Sequence, residues 1–523
     1  MSFTGWFILF LIIQVIHFLG TWKLYLKADK KVWEAAIPVY NGIVLMDILK
    51  RPKWWIIFLF IPIVNLIMFP VIWVETCRAF GFKTTKDSLL AIVTLGLYIF
   101  VINYSDKSYY DKERSLKSPT KAGEWVSSIA FAVIAATIVH NYVIRPYVIP
   151  SSSLEKTLLI GDYLFVSKFH YGSRVPMTTV ALPMVHDTIP VLKTKSYLFS
   201  DDFEKRKTAF LNKLQLPYMR LPSLKKIKRN DIVVFNQPAD TLLDMNNFHP
   251  DRNYYKPIDK KTNLVKRCVG IPGDSLQIKD GYIYINGKRS VLPENAKPQW
   301  YHVVDTEGQR FSDAALRRYN VRKSEMGSID GKYALNLTDA EAAAIAKNPI
   351  VKSVTKRLQP AGVYTGNVFP HHPKYPWSTD NFGPIYIPKK GATVALNAAS
   401  IPFYKRIIQE YEKNDLTYLN DDIYINGKKV DSYTFKQDYF WMMGDNRQNS
   451  LDARAWGYAP MDHVIGTPVM IWFSYDNVTR KIRWDRMFTT VSNGKSKSYF
   501  WIGILCAALV LFLVFKPKRK KKA

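Results

Sequence analysis

Cysteine is scarce in this chain: Cys77, Cys268 and Cys506 are the only three in 523 residues. They lie too far apart for a Cys-x-x-Cys zinc site and are too few for a disulfide framework. Acidic residues are also few, 43 Asp and Glu against 73 Lys and Arg, and the formal net charge of +30 calls for an anionic partner or surface. The nine histidines form no His-Glu-x-x-His pattern, and no recognition motif for nucleic acid accompanies the basic residues. The composition, 48% hydrophobic and 22% charged, excludes a collagen-like or largely disordered protein.

The apolar residues are concentrated in blocks near the two ends. A bilayer core of about 30 Å needs around 20 of them in a helix, and five blocks qualify or nearly qualify: Phe3 to Leu19, Trp54 to Val74, Leu89 to Asn103, Trp125 to Ile144 and Tyr499 to Phe515. The first is no cleavable leader, because its first basic residue, Lys23, follows the apolar run instead of preceding it. Short loops rich in Lys and Arg stay cytoplasmic. The loop from Gly20 to Lys53 carries seven such residues, the loop from Tyr104 to Glu124 carries Lys107, Lys112, Arg114, Lys117 and Lys121, and the tail from Lys516 to Lys522 is the densest run. Five alternating crossings with an outside amino terminus keep all three inside. Residues from about Arg145 to Ser498 then lie outside. The tail reads as a stop-transfer anchor touching anionic lipid.

After Pro150 the pattern changes to short β-branched runs separated by Gly, Asn, Asp and Pro, which predicts a mostly β region. Ile283-Tyr-Ile-Asn-Gly-Lys288 recurs as Ile423-Tyr-Ile-Asn-Gly-Lys428, and Asn-Gly after an alternating run is a strong hairpin signal because both residues tolerate positive φ. Between the hairpins, Thr338-Asp339 can cap a helix ending before Pro349, and Phe403, Ile407 and Tyr411 share a face of another. The insertion is therefore expected to be mixed α and β.

Four stretches carry the chemistry: Pro150-Ser-Ser-Ser-Leu-Glu-Lys-Thr-Leu-Leu-Ile-Gly-Asp162, Asn230-Asp-Ile-Val-Val-Phe235, Lys266-Arg-Cys-Val-Gly-Ile-Pro-Gly-Asp274 and Gly444-Asp-Asn-Arg-Gln-Asn-Ser-Leu-Asp-Ala-Arg-Ala-Trp-Gly457. In that order and spacing the chain resembles the bacterial branch of the type I signal peptidase family, membrane-anchored Ser-Lys endopeptidases, over roughly Arg145 to Tyr475. Any one block alone is weak, and Ser152 with Glu155 three residues on also fits a helix capping box. The resemblance implies Ser153 as nucleophile, with its own N–H and the Ser151 hydroxyl as oxyanion donors. It also implies Lys266 as general base, with Ser450 orienting the amine. An ordinary lysine is neutral only about once in 2,500 at pH 7, so Lys266 must be buried. Strand alternation from Leu264 places Lys266 and Cys268 on one face and Arg267 on the other. Arg267, Asp445, Asp452 and Arg454 are expected to be structural, as the pairs Arg267–Asp445 and Asp452–Arg454. Surface ion pairs of small value are the alternative. Ser152, Leu154, Lys156 and Ala453 depart from the family's usual Gly, Met, Pro and Ser.

One departure creates a rival. Ser153-Leu-Glu-Lys156 satisfies Ser-x-x-Lys, the nucleophile motif of penicillin-recognising acyl-transferases and hydrolases, although no Lys-Thr-Gly accompanies it. A non-catalytic membrane scaffold that binds secreted chains is the other alternative. The expectation is thus a mostly-β extracytoplasmic peptidase domain with an inserted α+β lobe, anchored by about five transmembrane helices. Its parts are a membrane domain with three spanning helices (1–124), a fourth helix (125–146), a β core (147–289 and 421–490), the inserted lobe (290–420), a last helix (499–515) and a basic cytoplasmic tail (516–523). The implied substrates are exported preproteins with signal peptides, processed with no cofactor and no metal at the surface of a bacterial inner membrane, in contact with its lipids.

Overall fold

The computed structural model describes residues 1–117, 120–240, 254–321, 325–364, 366–419, 422–493, 496–503, 505 and 508–509. The chain divides into two units, one of residues 1–144, 173–221 and 240–262, the other of 145–172, 222–239 and 263–523.

In the first unit, two helices are long and apolar enough to cross a membrane, Phe3–Lys27 and the continuous run Lys121–Val143. Each starts at a hydroxyl cap: Ser2 Oγ accepts from Gly5 N at 3.1 Å and Thr120 Oγ1 from Gly123 N at 3.1 Å. The expectation of five spanning helices is therefore corrected to two among the described residues, and most of the fifth block, with the basic tail, lies outside them. The block from Trp54 breaks into a short 3-10 segment, Lys53–Phe60, and the helix Asn65–Ala79. Pro62 and Ile63, the latter at φ 72°, stand between the two pieces. The block from Leu89 breaks where Leu95 (φ 51°) and Gly96 (φ 86°) turn left-handed between Thr85–Val93 and Tyr98–Tyr104. Hydropathy alone does not register such breaks. The short helices share a core with the first long one that includes Leu24, Tyr25, Met46, Phe80 and Ile102. Asn103 is buried with them, accepting from Leu24 N at 3.1 Å and donating to Leu19 O at 3.2 Å.

The second unit is built on a sheet whose main strands are β1 (Ile144–Val148), β2 (Asp162–Ser167), β3 (Ile232–Asn236), β4 (Asn263–Gly270), β5 (Tyr439–Met443), β6 (Ala459–Pro460) and β7 (Val464–Asp476). Their spatial order is β1-β2-β7-β3-β4-β5-β6, with two short strands added on β7. β4 is interior, antiparallel to β3 on one side and to β5 on the other. Both Asn-Gly repeats form tight hairpins, with Asn286, Gly287, Asn426 and Gly427 all at positive φ.

The stretch 290–420 divides between two cores. Residues 300–356 form a small α+β lobe: a four-stranded sheet, a helix Asp339–Ile345 capped by Thr338, and an apolar interior of Val304, Phe311, Leu316, Leu335, Leu337 and Ile345. The later part packs into the main core instead, where Phe382, Ile407 and Tyr411 join Trp441 and Val464. There Phe382–Tyr386 pairs with Ser275–Lys279.

Candidate active site

The serine run sits in a single 3-10 turn, Ser152–Leu154, entered through Ser151 in an extended conformation (φ −132°, ψ 158°). Leu154 and Leu158 pin the turn by burying themselves with Leu164, Val166, Ile232 and Val234. Ser153 is thereby only 7% exposed, while Ser151 stays exposed. The helix that a Ser152–Glu155 capping box would start does not form, because the turn stops after three residues.

Lys266 lies in the middle of the sheet, opposite Val233 of β3, and its strand packs against the serine turn. It is 4% exposed. Burial pushes its amine from 10.5 down to about 8, Arg454 adds to the depression, and Asp452 and Asp445 oppose it. No hydrogen bond or ion pair holds this amine among the described residues. An amine in this state is neutral about one time in ten at pH 7, roughly 200-fold more often than a free lysine.

Arg267 leaves the other face of β4 and grips Asp445 through two parallel bonds, Nε to Oδ1 at 2.8 Å and Nη2 to Oδ2 at 2.7 Å. Thr157 Oγ1 adds a third bond to Asp445, at 2.8 Å. Burial acts to raise the Asp445 carboxyl, but Arg267 outweighs it and holds the group below the usual carboxylate range. Asp445 therefore adds stability that is present above its unfolded pKa and lost as pH falls through the folded one. Asp452 and Arg454 form the second pair, at 2.9 and 2.8 Å, and Asp452 also accepts from Gly444 N at 3.0 Å. Both pairs are buried, so their worth is not that of surface pairs. Replacing Arg267 by Met leaves the Asp445 charge buried without its counterion, and the expected loss is about 3–5 kcal/mol. Denaturant unfolding in detergent measures this, and the Arg267→Met/Asp445→Leu double variant should recover most of it.

Gly444 is where the parts meet. Met443 pairs with Arg267, so the next position of that register sets Gly444 opposite Lys266. A Cβ at Gly444 would stand 2.3 Å from Ser450 Oγ and 2.6 Å from Ser153 O, so only glycine lets the two serines approach. Ser450 Oγ is buried and makes no hydrogen bond. The bond to the Lys266 amine that the resemblance implies is thus not formed here. Lys156, the rival base, is engaged elsewhere: the turn has already ended at Glu155 (ψ 148°), Lys156 itself is left-handed at φ 68°, and its amine pairs with Glu341 and donates to Asn336 O at 3.3 Å.

Several polar residues at the site were given no part in the sequence reading. Asn446 lies inside the fourth stretch, directly after Asp445. Its N–H donates to Ser153 O at 3.1 Å and its side-chain amide to Ser152 O at 3.2 Å. Gln299 Nε2 donates to Glu155 O at 2.9 Å. Only a motif position signalled Asn446, and nothing in the sequence signalled Gln299.

The family described as signal peptidase, peptidase S26, matches residues 122–381 and 432–473, more than half of the chain. A family of unknown function matches residues 33–113. Signal peptidase I of Buchnera aphidicola subsp. Acyrthosiphon pisum is 22% identical over 396 residues, 74% of this chain and 88% of the relative. Signal peptidase I of Helicobacter pylori is 24% identical over 381 residues, 70% of this chain and 91% of the relative. Signal peptidase I of Rickettsia rickettsii is 26% identical over 179 residues, 34% of this chain and 48% of the relative.

Proposed function

From the premise that this chain belongs to the peptidase S26 family of signal peptidases, we propose that Ser153 is its nucleophile and Lys266 its general base. The chain is a serine endopeptidase that removes signal peptides. In the proposed reaction Ser153 Oγ attacks the scissile carbonyl as the neutral Lys266 amine takes the hydroxyl proton. The Ser153 N–H and the Ser151 hydroxyl stabilise the oxyanion. The ammonium so formed returns the proton to the departing amine, leaving an acyl-enzyme. Water, deprotonated by the same amine, then releases the new carboxyl end and restores the serine.

The observation that carries this reading is the buried Lys266 amine, depressed to about 8 and bound to no carboxylate. The penicillin-type alternative is the weaker one, since Lys156 is held by Glu341 and stands beyond the end of the helical turn. Ser450 is proposed to orient the Lys266 amine once substrate is bound, its unpaired hydroxyl being the supporting observation.

The substrates are proposed to be exported preproteins, extended along a strand edge with small side chains before the cut. The two spanning helices fit the orientation expected from charge. With the lysines and arginines of segments 28–53 and 105–121 inside, both the amino terminus and the peptidase domain lie outside a bacterial inner membrane. Tyr163, Phe165, Trp472 and Phe473 form a half-buried aromatic cluster suited to a lipid interface.

A pH profile tests the base. The amine must be neutral to act, so kcat/KM for a preprotein in detergent should rise tenfold per pH unit below about 8 and level off above it. A profile flat from pH 6 to 9 rules out Lys266 as base.

A further inference from the structure

The Lys156 side chain, which the proposed reaction does not use, joins the serine turn to the small lobe 300–356. Lys156 follows the turn, and its partners Asn336 and Glu341 come from the lobe's strand Lys332–Leu337 and helix Asp339–Ile345. A second bridge runs beside the first. Asn336 Nδ2 donates to Asn446 Oδ1 at 2.6 Å, and Asn446 in turn holds the carbonyls of Ser152 and Ser153. Asn336 is 4% exposed and Asn446 fully buried, so this chain of bonds is shielded from competing water.

We infer that the lobe 300–356 is a positioning clamp for the nucleophile, acting on the Ser152–Leu154 turn through Lys156–Glu341 and Asn336–Asn446. The inference rests on the assignment of Ser153 as nucleophile. Its physical basis is that the turn is too short to hold its own shape. Three residues of 3-10 helix give almost no internal hydrogen bonding. Lys156 adds a left-handed conformation, which is strained for a residue other than glycine. Contacts from outside the turn must maintain it: the burial of Leu154 and Leu158, the Gln299 bond to Glu155 O, and, around Ser153 itself, the bonds from Asn446 and the lobe. Proline, the residue the family resemblance places at 156, fixes φ near −65° and carries no amine, so it can neither adopt this backbone nor reach Glu341. The lobe reaches the turn through the Lys156 side chain and through Asn446, which bonds the Ser152 and Ser153 carbonyls; none of these groups is proposed to react, so the residues are positioning residues and not catalytic ones.

The test uses the full chain in detergent and reads kcat and KM separately for preprotein cleavage, beside the rate of acylation by a serine-directed probe. The variants are Lys156→Ala, Glu341→Gln, Asn336→Ala and the conservative Lys156→Arg, which keeps a donor cation facing Glu341 and leaves the Thr338 cap in place. Glu341→Gln keeps an oxygen for the Thr338 N–H that Glu341 now caps at 2.9 Å, so the helix start survives while the ion pair is lost. Because a misplacement of about 1 Å can cost on the order of 100-fold, Lys156→Ala, Glu341→Gln and Asn336→Ala should each lose roughly 10- to 100-fold in kcat and in acylation rate. KM should stay within about twofold, the pH midpoint should not move, and Lys156→Arg should keep most of the activity that Lys156→Ala loses. Three results overturn the clamp: kcat within about twofold of the parent in Lys156→Ala, Glu341→Gln and Asn336→Ala, a loss carried by KM, or a loss that tracks a lower unfolding midpoint and is as large in Lys156→Arg as in Lys156→Ala. Ser153→Ala in the same assay separates the two readings. If it cleaves normally, the nucleophile assignment fails; if it is inactive while the clamp variants are normal, the clamp alone fails.

Discussion

Preprotein cleavage by Ser153→Ala is expected to fall by about six orders of magnitude in kcat, the size of loss that follows removal of a serine protease nucleophile. The neighbouring serines of the run are not expected to replace the hydroxyl. Ser152 is next in sequence, but its carbonyl is tied to Asn446 and Ser151 stands at the exposed entry to the turn. Substrate binding should survive, because the proposed extended backbone pairing does not involve Ser153 Oγ. The signature is a variant that still binds preprotein but neither cuts it nor is labelled by an acylating probe. Mass spectrometry of the intact protein after probe treatment measures this. A Ser153→Ala enzyme that still forms a covalent adduct and cleaves would move the nucleophile to another serine.

Lys266→Met is expected to abolish cleavage and at the same time stabilise the fold. Methionine matches the length of the lysine stem and carries no charge. The fall of the amine from 10.5 to about 8 corresponds to a penalty on the order of 3 kcal/mol for holding its proton in the folded state. Below pH 8 folded and unfolded chains both carry that proton and the full penalty is present. Between 8 and 10.5 the folded chain has released it while the unfolded chain retains it, so stability rises with pH, and above 10.5 the penalty is gone. The gain from Lys266→Met should therefore be largest at neutral pH, several degrees in the unfolding midpoint, and vanish near pH 11. Unfolding midpoints of parent and variant at pH 7 and pH 10.5 check the sign. A variant that is less stable than the parent at pH 7 would mean that the amine is solvated and not strained.

The two effects belong together. A buried unpaired amine is costly to the fold, and in the proposed reaction that cost is what keeps enough of it neutral to act as a base. Arg267, the adjacent residue, shows the opposite arrangement: on the other face of β4 it is fully paired with Asp445 and contributes rigidity instead of reactivity.

Much of this was legible in the residues. Asn-Gly at 286–287 and 426–427 specifies its turn locally, since few other pairs tolerate two positive φ values. Strand alternation placed Lys266 and Arg267 on opposite faces, because a period of two needs no knowledge of the rest of the chain. The order and spacing of four short stretches pointed to the family. The spanning helices were over-read because hydropathy sums over a window and does not register where a backbone breaks. The left-handed residues Ile63, Leu95 and Gly96 end helices inside apolar stretches.

What the amino-acid order determined by itself is the local material: which runs are apolar, where the turns fall, and which side chains share a face of β4. Only the tertiary structure decided how those side chains behave. The amine of Lys266 is depressed because neighbouring strands and the serine turn exclude water from it. The amine of Lys156, just three residues beyond Ser153, is withdrawn from any such role by a carboxylate 185 residues away. Desolvation and ion pairing depend on distance in space, and the chemistry of a lysine is set by what folds over it.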